Sequence, residues 1–290
     1  MLAGLLDALR NIELDSLESV EIIVIDNAPN TAERVCREAR DLPIDLHYTT
    51  ESRRGRPFAR NAAIAEALKR GADYVAFLDD DDIPEPDWLR HLVDKQKATD
   101  ADIVFGTWRQ GSITNAPSWL IKTGSFENPV FGAIGEYGIP RHTGAGNVLI
   151  SLRFLATFAD PIFDPAFLTA EDKDFCIRAS KAGATMVLSE DSIIIRGHGD
   201  RLRSRDAWRR GFDNGCGRAA RILKYSPPAE IRLKKWSAAI KFLGRLLIAP
   251  LYLVHRDKFM RNVYSIVRGA GLLYTFASTR QPHHLVTIHE

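Results

Sequence analysis

Cysteine is scarce in this chain of 290 residues, which has only Cys36, Cys176 and Cys216. Their spacing neither pairs them nor suits a metal, which excludes a disulfide framework and makes a reducing compartment, the cytoplasm, the expected setting. Net charge is scarce too: 39 bases against 37 acids leave a formal +2, too little to argue for a nucleic-acid partner. Long uncharged apolar runs are missing as well. The stretch 236–254 is interrupted by Lys241, Arg245 and Pro250, so it does not read as an ordinary transmembrane helix. The opening decapeptide carries an acid early and sets Leu2, Leu5, Leu6 and Leu9 at i, i+3, i+4 and i+7, the pattern of an amphipathic helix rather than a signal peptide. Apolar residues are plentiful at 45%, enough to bury a sizeable core.

Periodicity divides the chain into alternating elements. Residues 21–26 (EIIVID) read as a buried strand, after which Thr31 is placed to cap a helix running to about Arg40. A short strand at 46–50 is followed by a loop at Gly55, a helix over 58–70 opened by Pro57 and stopped by Gly71, and a strand at 74–78. A helix over 87–97 and a strand at 101–106 come next. This alternation predicts an α/β fold with a mostly parallel sheet flanked by helices. Residues 110–143 are irregular, and a long irregular segment of this kind is expected to cover a site. Beyond it the pattern gives a strand at 146–150, helices at 153–158 and 171–182, and two short strands at 184–188 and 192–195. The chain is helical thereafter. Ser226-Pro227-Pro228 separates a domain of residues 1–225 from a basic amphipathic helical tail, residues 226–290.

The apolar strand at 74–78 runs into four consecutive acids, Asp79, Asp80, Asp81 and Asp82. They emerge at a strand's carboxyl end, where open α/β sheets bind ligands. Four like charges repel, and an oxygen-preferring divalent cation, Mn²⁺ or Mg²⁺, would offset that repulsion and bridge to substrate phosphates. A solvated acidic turn leading into the next helix is the plainer alternative. A second acidic island, Glu171, Asp172 and Asp174, stands at a helix start, where the dipole tolerates negative charge. Helix capping accounts for it; so does a general base, Asp172 or Glu171, close to the first cluster but separate from it. His198, between Gly197 and Gly199, is either structural or a ligand that completes a metal shell. Arg201, Arg203, Arg205, Arg209 and Arg210 gather around Trp208, a set suited to clamping a diphosphate. In the tail, bases flank the apolar stretch, and segment 232–262 suits equally an anionic membrane surface and a helical pair packed on the catalytic domain.

In their order along the chain these motifs resemble those of family 2 glycosyltransferases with the GT-A fold, most of all those of exopolysaccharide assembly, the succinoglycan-type glucosyltransferases. EIIVIDN at 21–27 resembles the family's second strand, whose terminal acid, here Asp26, holds the nucleotide base or ribose, with Asn27 beside it. GRPFARN at 55–61 resembles the G-x-x-x-A-R-N segment at the nucleotide, which implicates Arg60. FLDDDD at 77–82 resembles F-L-D-x-D-D; the match puts Asp79 on the ribose, Asp81 on the metal with Asp79, and Asp80 at the nucleotide. GNVLI at 146–150 resembles the strand lining the donor-sugar and acceptor pocket, to which Gly146, Asn147 and Trp208 are assigned. EDKDF at 171–175 resembles the E-D-x-D-F box and makes Asp172 the general base, with Glu171 next to it. His198 resembles the histidine that joins the metal, and Arg201 and Arg210 match the segment near the diphosphate.

The resemblance implies a metal-dependent, inverting enzyme of polysaccharide biosynthesis that takes a sugar from a nucleotide-diphosphate donor, UDP-linked, to a glycan or lipid-linked acceptor. It implies a place in the cytoplasm or peripherally on the inner face of the cytoplasmic membrane. Family members open with a strand before the first helix, whereas this sequence opens in that helix. The expectation is therefore a sheet lacking a central strand, with unpaired backbone groups on both neighbours, through a start downstream of the natural one or a degenerate copy. Two rival readings remain: a metal-dependent nucleotidyltransferase and a catalytically inactive glycan-binding scaffold.

Overall fold

The amino-terminal leucines do what their spacing predicts. Leu5 and Leu6 of α1 (Leu2–Ala8), with Leu9 and Ile12 after it, enter a core with Ile44, Trp88, Leu92, Val104, Leu149 and Ile194. In the computed structural model of the protein, the described residues are 1–278 without 16, 29–31, 40, 114–115, 124–126, 128, 130 and 198–203, and without the side chain of residue 204. They form two compact units. The first, an α/β unit, comprises Met1–Ser112, Asn128–Asp164 and Asp172–Gly199. The second, a helical unit, comprises Ile113–Glu127, Pro165–Glu171 and Asp200–Glu290.

In the α/β unit, β1 (Glu21–Asp26), α2 (Glu33–Glu38) and β2 (Asp45–Thr50) come first. Thr31 and Arg40, the expected bounds of α2, lie outside the described residues. Helix α3 (Arg56–Lys69) starts behind Gly55, whose φ of +132° is one that side-chain-bearing residues rarely adopt. Pro57 in the first turn carries a preset helical φ and has no N–H to leave unpaired. β3 (Tyr74–Leu78), β4 (Ile83–Pro84), α4 (Trp88–Thr99) and β5 (Ile103–Gln110) follow. Short α5 (Ser118–Ile121) belongs to the helical unit. The chain then returns through β6 (Asn147–Ser151), α6 (Leu152–Leu155), α7 (Glu171–Lys181) and β7 (Met186–Arg196).

The strands make a parallel pair, β1–β2, and a five-stranded sheet in the order β3-β6-β5-β7-β4. Only β5–β7 is parallel in the larger sheet, so the mostly parallel sheet expected from the sequence is in fact mixed. The reason lies in β6. It is entered from the irregular segment rather than from a helical crossover, so nothing obliges it to run parallel to β3 and β5. Among the described residues no strand bridges β1 to β3, the arrangement expected of a sheet without its central strand. The two short strands expected after α7 are one continuous strand. Its polar middle, residues 189–192, falls at a register shift against β5, between the pairs Phe105–Leu188 and Thr107–Ile193, and there Ser189 donates to the His91 carbonyl at 3.1 Å and Ser192 to the Trp88 carbonyl at 3.0 Å.

The helical unit contains α8 (Ser204–Tyr225), α9 (Pro228–Ile248) and α10 (Arg256–Ala277). α8 and α10 approach closely because small residues stand at their crossing: a Cβ at Gly215 would fall 2.1 Å from the Arg268 carbonyl oxygen, and one at Gly271 2.2 Å from that of Phe212. Ala219, Ala238 and Phe276 bury the contact among α8, α9 and α10. α8 thus groups with the carboxyl-terminal helices, although the sequence division at 225/226 puts it with the sheet. The irregular segment is split likewise, with Ile113–Glu127 in the helical unit. No helix among the described residues is long and apolar enough to cross a membrane.

Candidate functional site

The end of β3 sorts the four acids. The Asp82 N–H donates to the Asp79 carbonyl at 3.1 Å, and this turn leaves Asp80 in solvent, Asp79 half-buried and Asp81 and Asp82 buried. On one side stands Arg60 of α3, whose Nη2 lies 3.4 Å from Asp79 Oδ1 and whose guanidinium sits 5.6 Å from the centre of the Phe163 ring. On the other side is Gly197, at the end of β7. A Cβ there would fall 1.6 Å from the Asp81 carbonyl oxygen, so only glycine allows the approach; its N–H donates to Asp82 Oδ1 at 3.2 Å. Burial and then the negative charges of Asp79 and Asp81 push the Asp82 carboxyl up to about 7, against the opposing pull of Arg196 and the Gly197 N–H.

The second acidic island divides in the same way. Glu171 and Asp174 are buried and Asp172 is half-buried. Arg178 Nε donates to Asp174 at 2.8 Å and its other nitrogens reach the carbonyls of Pro161 and Ile162. Asp174 is therefore structural. Asp172 Oδ1 accepts the Lys173 N–H at 2.7 Å, and the Lys173 ammonium donates to the Thr143 carbonyl. Of the three acids, Asp172 is the one with access to solvent.

The segment before β6 brings the two islands together. A Cβ at Gly144 would stand 3.0 Å from Asp172 Oδ2, and one at Gly146 2.6 Å from Asp79 Oδ2. Two residues of chain span at most about 7 Å, so both carboxylates lie along one tripeptide. Aromatic packing fixes their mounts. Phe163 meets Phe77 edge-on at 6.0 Å and Phe175 at 4.8 Å, which ties the end of β3 to α7. Asn61 clasps the Phe163 backbone from both sides, donating to its carbonyl and accepting its N–H, each at 2.8 Å.

Several residues expected to contact a ligand carry internal hydrogen bonds. Asp26 accepts the N–H groups of Ala28 and Ala32 and the Tyr48 hydroxyl, each at 3.0 Å. Burial and that carboxylate push the Tyr48 hydroxyl up to about 12. Asn27, expected to position the nucleoside, donates to the carbonyls of Glu51 and Arg53 and accepts the Gly55 N–H, which staples the 51–55 loop to β1. Asn147, expected in the sugar and acceptor pocket, is buried. It accepts from Trp88 Nε1 at 2.7 Å and donates to the carbonyls of Thr107 and Ser192, so both its donors serve the sheet. Trp208 packs against Trp119 at 5.7 Å in the core of the helical unit, and Arg210 is half-buried on α8 of the same unit. His198 and Arg201 lie outside the described residues. Phe163 and the clasp of Asn61 were invisible to sequence reasoning, whereas Gly144-Ala145-Gly146 ahead of an apolar strand is a signal of close approach.

Among the described residues, no group of three or more His, Cys, Asp or Glu side chains is arranged to hold a metal ion. The donors nonetheless fit a share of a Mn²⁺ or Mg²⁺ site. Asp81 and Asp82 are buried hard-oxygen groups, and Asp82 Oδ2 has no hydrogen-bond partner among the described residues. Such cations are commonly held by one or two carboxylates and completed by water and substrate phosphate.

Comparison with known proteins gives the family and the fold. The model of a family described as glycosyl transferase family 2 matches residues 1–156. The succinoglycan biosynthesis protein ExoM of Rhizobium meliloti (strain 1021) is 29% identical over 199 residues, 67% of this chain; the match spans 62% of ExoM, less than two thirds of that relative. Among solved structures, the mannosyltransferase PcManGT of Pyrobaculum calidifontis, in complex with GDP-Man and Mn²⁺, superimposes with a TM-score of 0.57 at 18% identity, over 94% of this chain and 83% of that one. S. aureus TarS 1-349 in complex with UDP-GlcNAc gives 0.51 at 14%, over 93% and 87%. These structural likenesses establish the GT-A fold.

Proposed function

This chain belongs to glycosyl transferase family 2, and on that premise we propose that it moves a sugar from a nucleotide-diphosphate donor, UDP-linked, to a hydroxyl of a glycan or lipid-linked acceptor in polysaccharide synthesis, with inversion at the anomeric carbon. The observation that carries the reading is the meeting of the Asp79 and Asp172 carboxylates along Gly144–Ala145–Gly146. A base for the acceptor and an acidic cluster for the donor must serve one reacting centre, and here they stand on separate elements yet against one tripeptide.

In this reading the acceptor oxygen attacks the anomeric carbon from the face opposite the diphosphate, the bond from that carbon to the phosphate oxygen breaks, and the nucleoside diphosphate leaves. Asp172 takes the acceptor proton; it is the member of its island with solvent access and, among the described residues, without an internal ion pair of the kind that occupies Asp174. Asp79, oriented by Arg60, faces the donor ribose. Asp81, with Asp79 beside it, would hold a divalent cation, which supplies positive charge to the leaving diphosphate. Relatives of this fold are described with GDP-Man and Mn²⁺ and with UDP-GlcNAc, which supports a nucleotide-sugar donor and a divalent cation.

The test incubates the purified chain with a panel of nucleotide sugars and Mn²⁺ or Mg²⁺ and measures nucleoside diphosphate release for the wild type and Asp172→Asn. Release by the wild type and its loss in the variant are expected. Pyrophosphate release from nucleoside triphosphates, or an unaffected Asp172→Asn, would overturn the reading.

A further inference from the structure

Among the described residues, the helical unit carries an apolar surface that its packing leaves uncovered. On α9, Leu233, Trp236, Ile240, Leu243 and Leu247 recur at helical spacing, and Leu251, Leu253 and Val254 follow in the turn after it. These eight side chains are between 57% and 89% exposed. At 3.6 residues per turn Ala238 falls on the opposite side of α9, and Ala238 is the residue buried against α8 and α10. One face of α9 therefore packs on its neighbours and the other faces outward. The largest apolar patch of a soluble monomer is roughly 300–600 Å² and is often functional, and five large exposed side chains on one helix face with three more directly after it mark such a patch.

Charge identifies the partner. Residues 231–256 contain six bases, Arg232, Lys234, Lys235, Lys241, Arg245 and Arg256, and no acid, within a chain whose formal charge is only +2. The same helical period puts Lys241 on one border of the apolar stripe and Arg232 on the other, and both are exposed. Beside the stripe, Trp236 and Lys235 of α9 with Leu273, Phe276 and Ala277 of α10 line a largely apolar groove of about 310 Å³. Apolar side chains bordered by bases along a helix of about 32 Å match a headgroup layer with acyl chains beneath it.

We infer that α9 and the turn after it lie in the plane of an anionic bilayer, with Trp236, Ile240, Leu243, Leu247 and Leu251 in the acyl boundary and the bordering bases on lipid phosphates. The helix adsorbs and does not cross. A second copy of this chain is a poorer occupant, because two such faces would set base against base. The inference stands independently of the glycosyl-transfer reading.

The experiment is co-sedimentation of the full chain with vesicles of phosphatidylcholine alone and of phosphatidylcholine with phosphatidylglycerol, together with sedimentation velocity in the absence of lipid. Expected are binding to the anionic vesicles, weakened at high salt, and at least tenfold weaker binding for a Trp236→Glu/Leu247→Glu variant that retains the wild-type far-ultraviolet circular dichroism. Brominated acyl chains should quench wild-type tryptophan fluorescence, and Trp236→Phe should remove that quenching. Equal binding to both vesicle types, no binding, or a dimer that the double variant dissolves would each overturn the inference. Nucleoside diphosphate release is a separate readout, so loss of one proposal leaves the other standing.

Discussion

The two units break the usual rule of burial in opposite directions. The α/β unit hides charge: Asp81, Asp82 and Asp174 are buried at or near its acidic turns. The helical unit shows apolar surface, with the outward stripe of α9 in water. Both arrangements cost free energy in the isolated chain, the first through desolvation and like-charge repulsion, the second through hydration of apolar area. The costs differ in kind, so they point to different remedies. On the two proposals above, a cation with its phosphates would offset the first at Asp81 and Asp82, and lipid would offset the second.

Substitutions can break or sharpen this contrast. The largest effect is expected in the α/β unit, where Asp172→Asn should lower nucleoside diphosphate release by about 10²–10⁴-fold with an unchanged melting temperature. Stability separates the units next. Phe163 is fully buried between Phe77 and Phe175, and Phe163→Ala should cost about 3–5 kcal/mol in urea unfolding. Ile240→Gln, on the outward face of α9, should shift the same measurement by no more than about 0.5 kcal/mol; a large loss there would mean that the stripe is core after all. Positioning comes third. Gly146→Ala sets a methyl 2.6 Å from Asp79 Oδ2 and should lower kcat/KM by about 10²-fold, the order expected of a misplacement near 1 Å. Gly144→Ala, with 3.0 Å to Asp172 Oδ2, should do less. The smallest effect is common to both units. Cys36, Cys176 and Cys216 are buried, and burial pushes the Cys176 thiol up to about 12. Its thiolate is therefore almost absent at pH 8, and a disulfide reagent should label it only after unfolding.

Elements with a continuous apolar run were legible one residue at a time. The strand over 21–26 matches β1, and 74–78 matches β3. β7 was read as two strands because Ser189, Glu190 and Asp191 interrupt its hydrophobicity. In the structure they stay within one strand but fall at its register shift against β5, where Ser189 and Ser192 bond to carbonyls of α4 about 100 residues away in sequence. The site was legible to the same degree. Its acids were plain in the sequence, and Asp79 and Asp172 lie along one tripeptide; the internal bonds of Asn27 and Asn147 were not legible, since a polar residue at a strand end looks the same whether or not it staples a loop.

By itself the sequence determined the alternation of strands and helices, the acids at the end of β3 and the start of α7, the family, and the basic amphipathic character of the tail. These are properties of local periodicity and residue type, which a chain carries whatever it packs against. Tertiary structure alone decided that β6 runs antiparallel and that Gly144 and Gly146 each face one of the two carboxylates. It also decided that α9 turns its apolar stripe outward. Each of these depends on which distant segment reaches a given face first and satisfies its backbone and side chains, and that competition is settled only in the assembled fold.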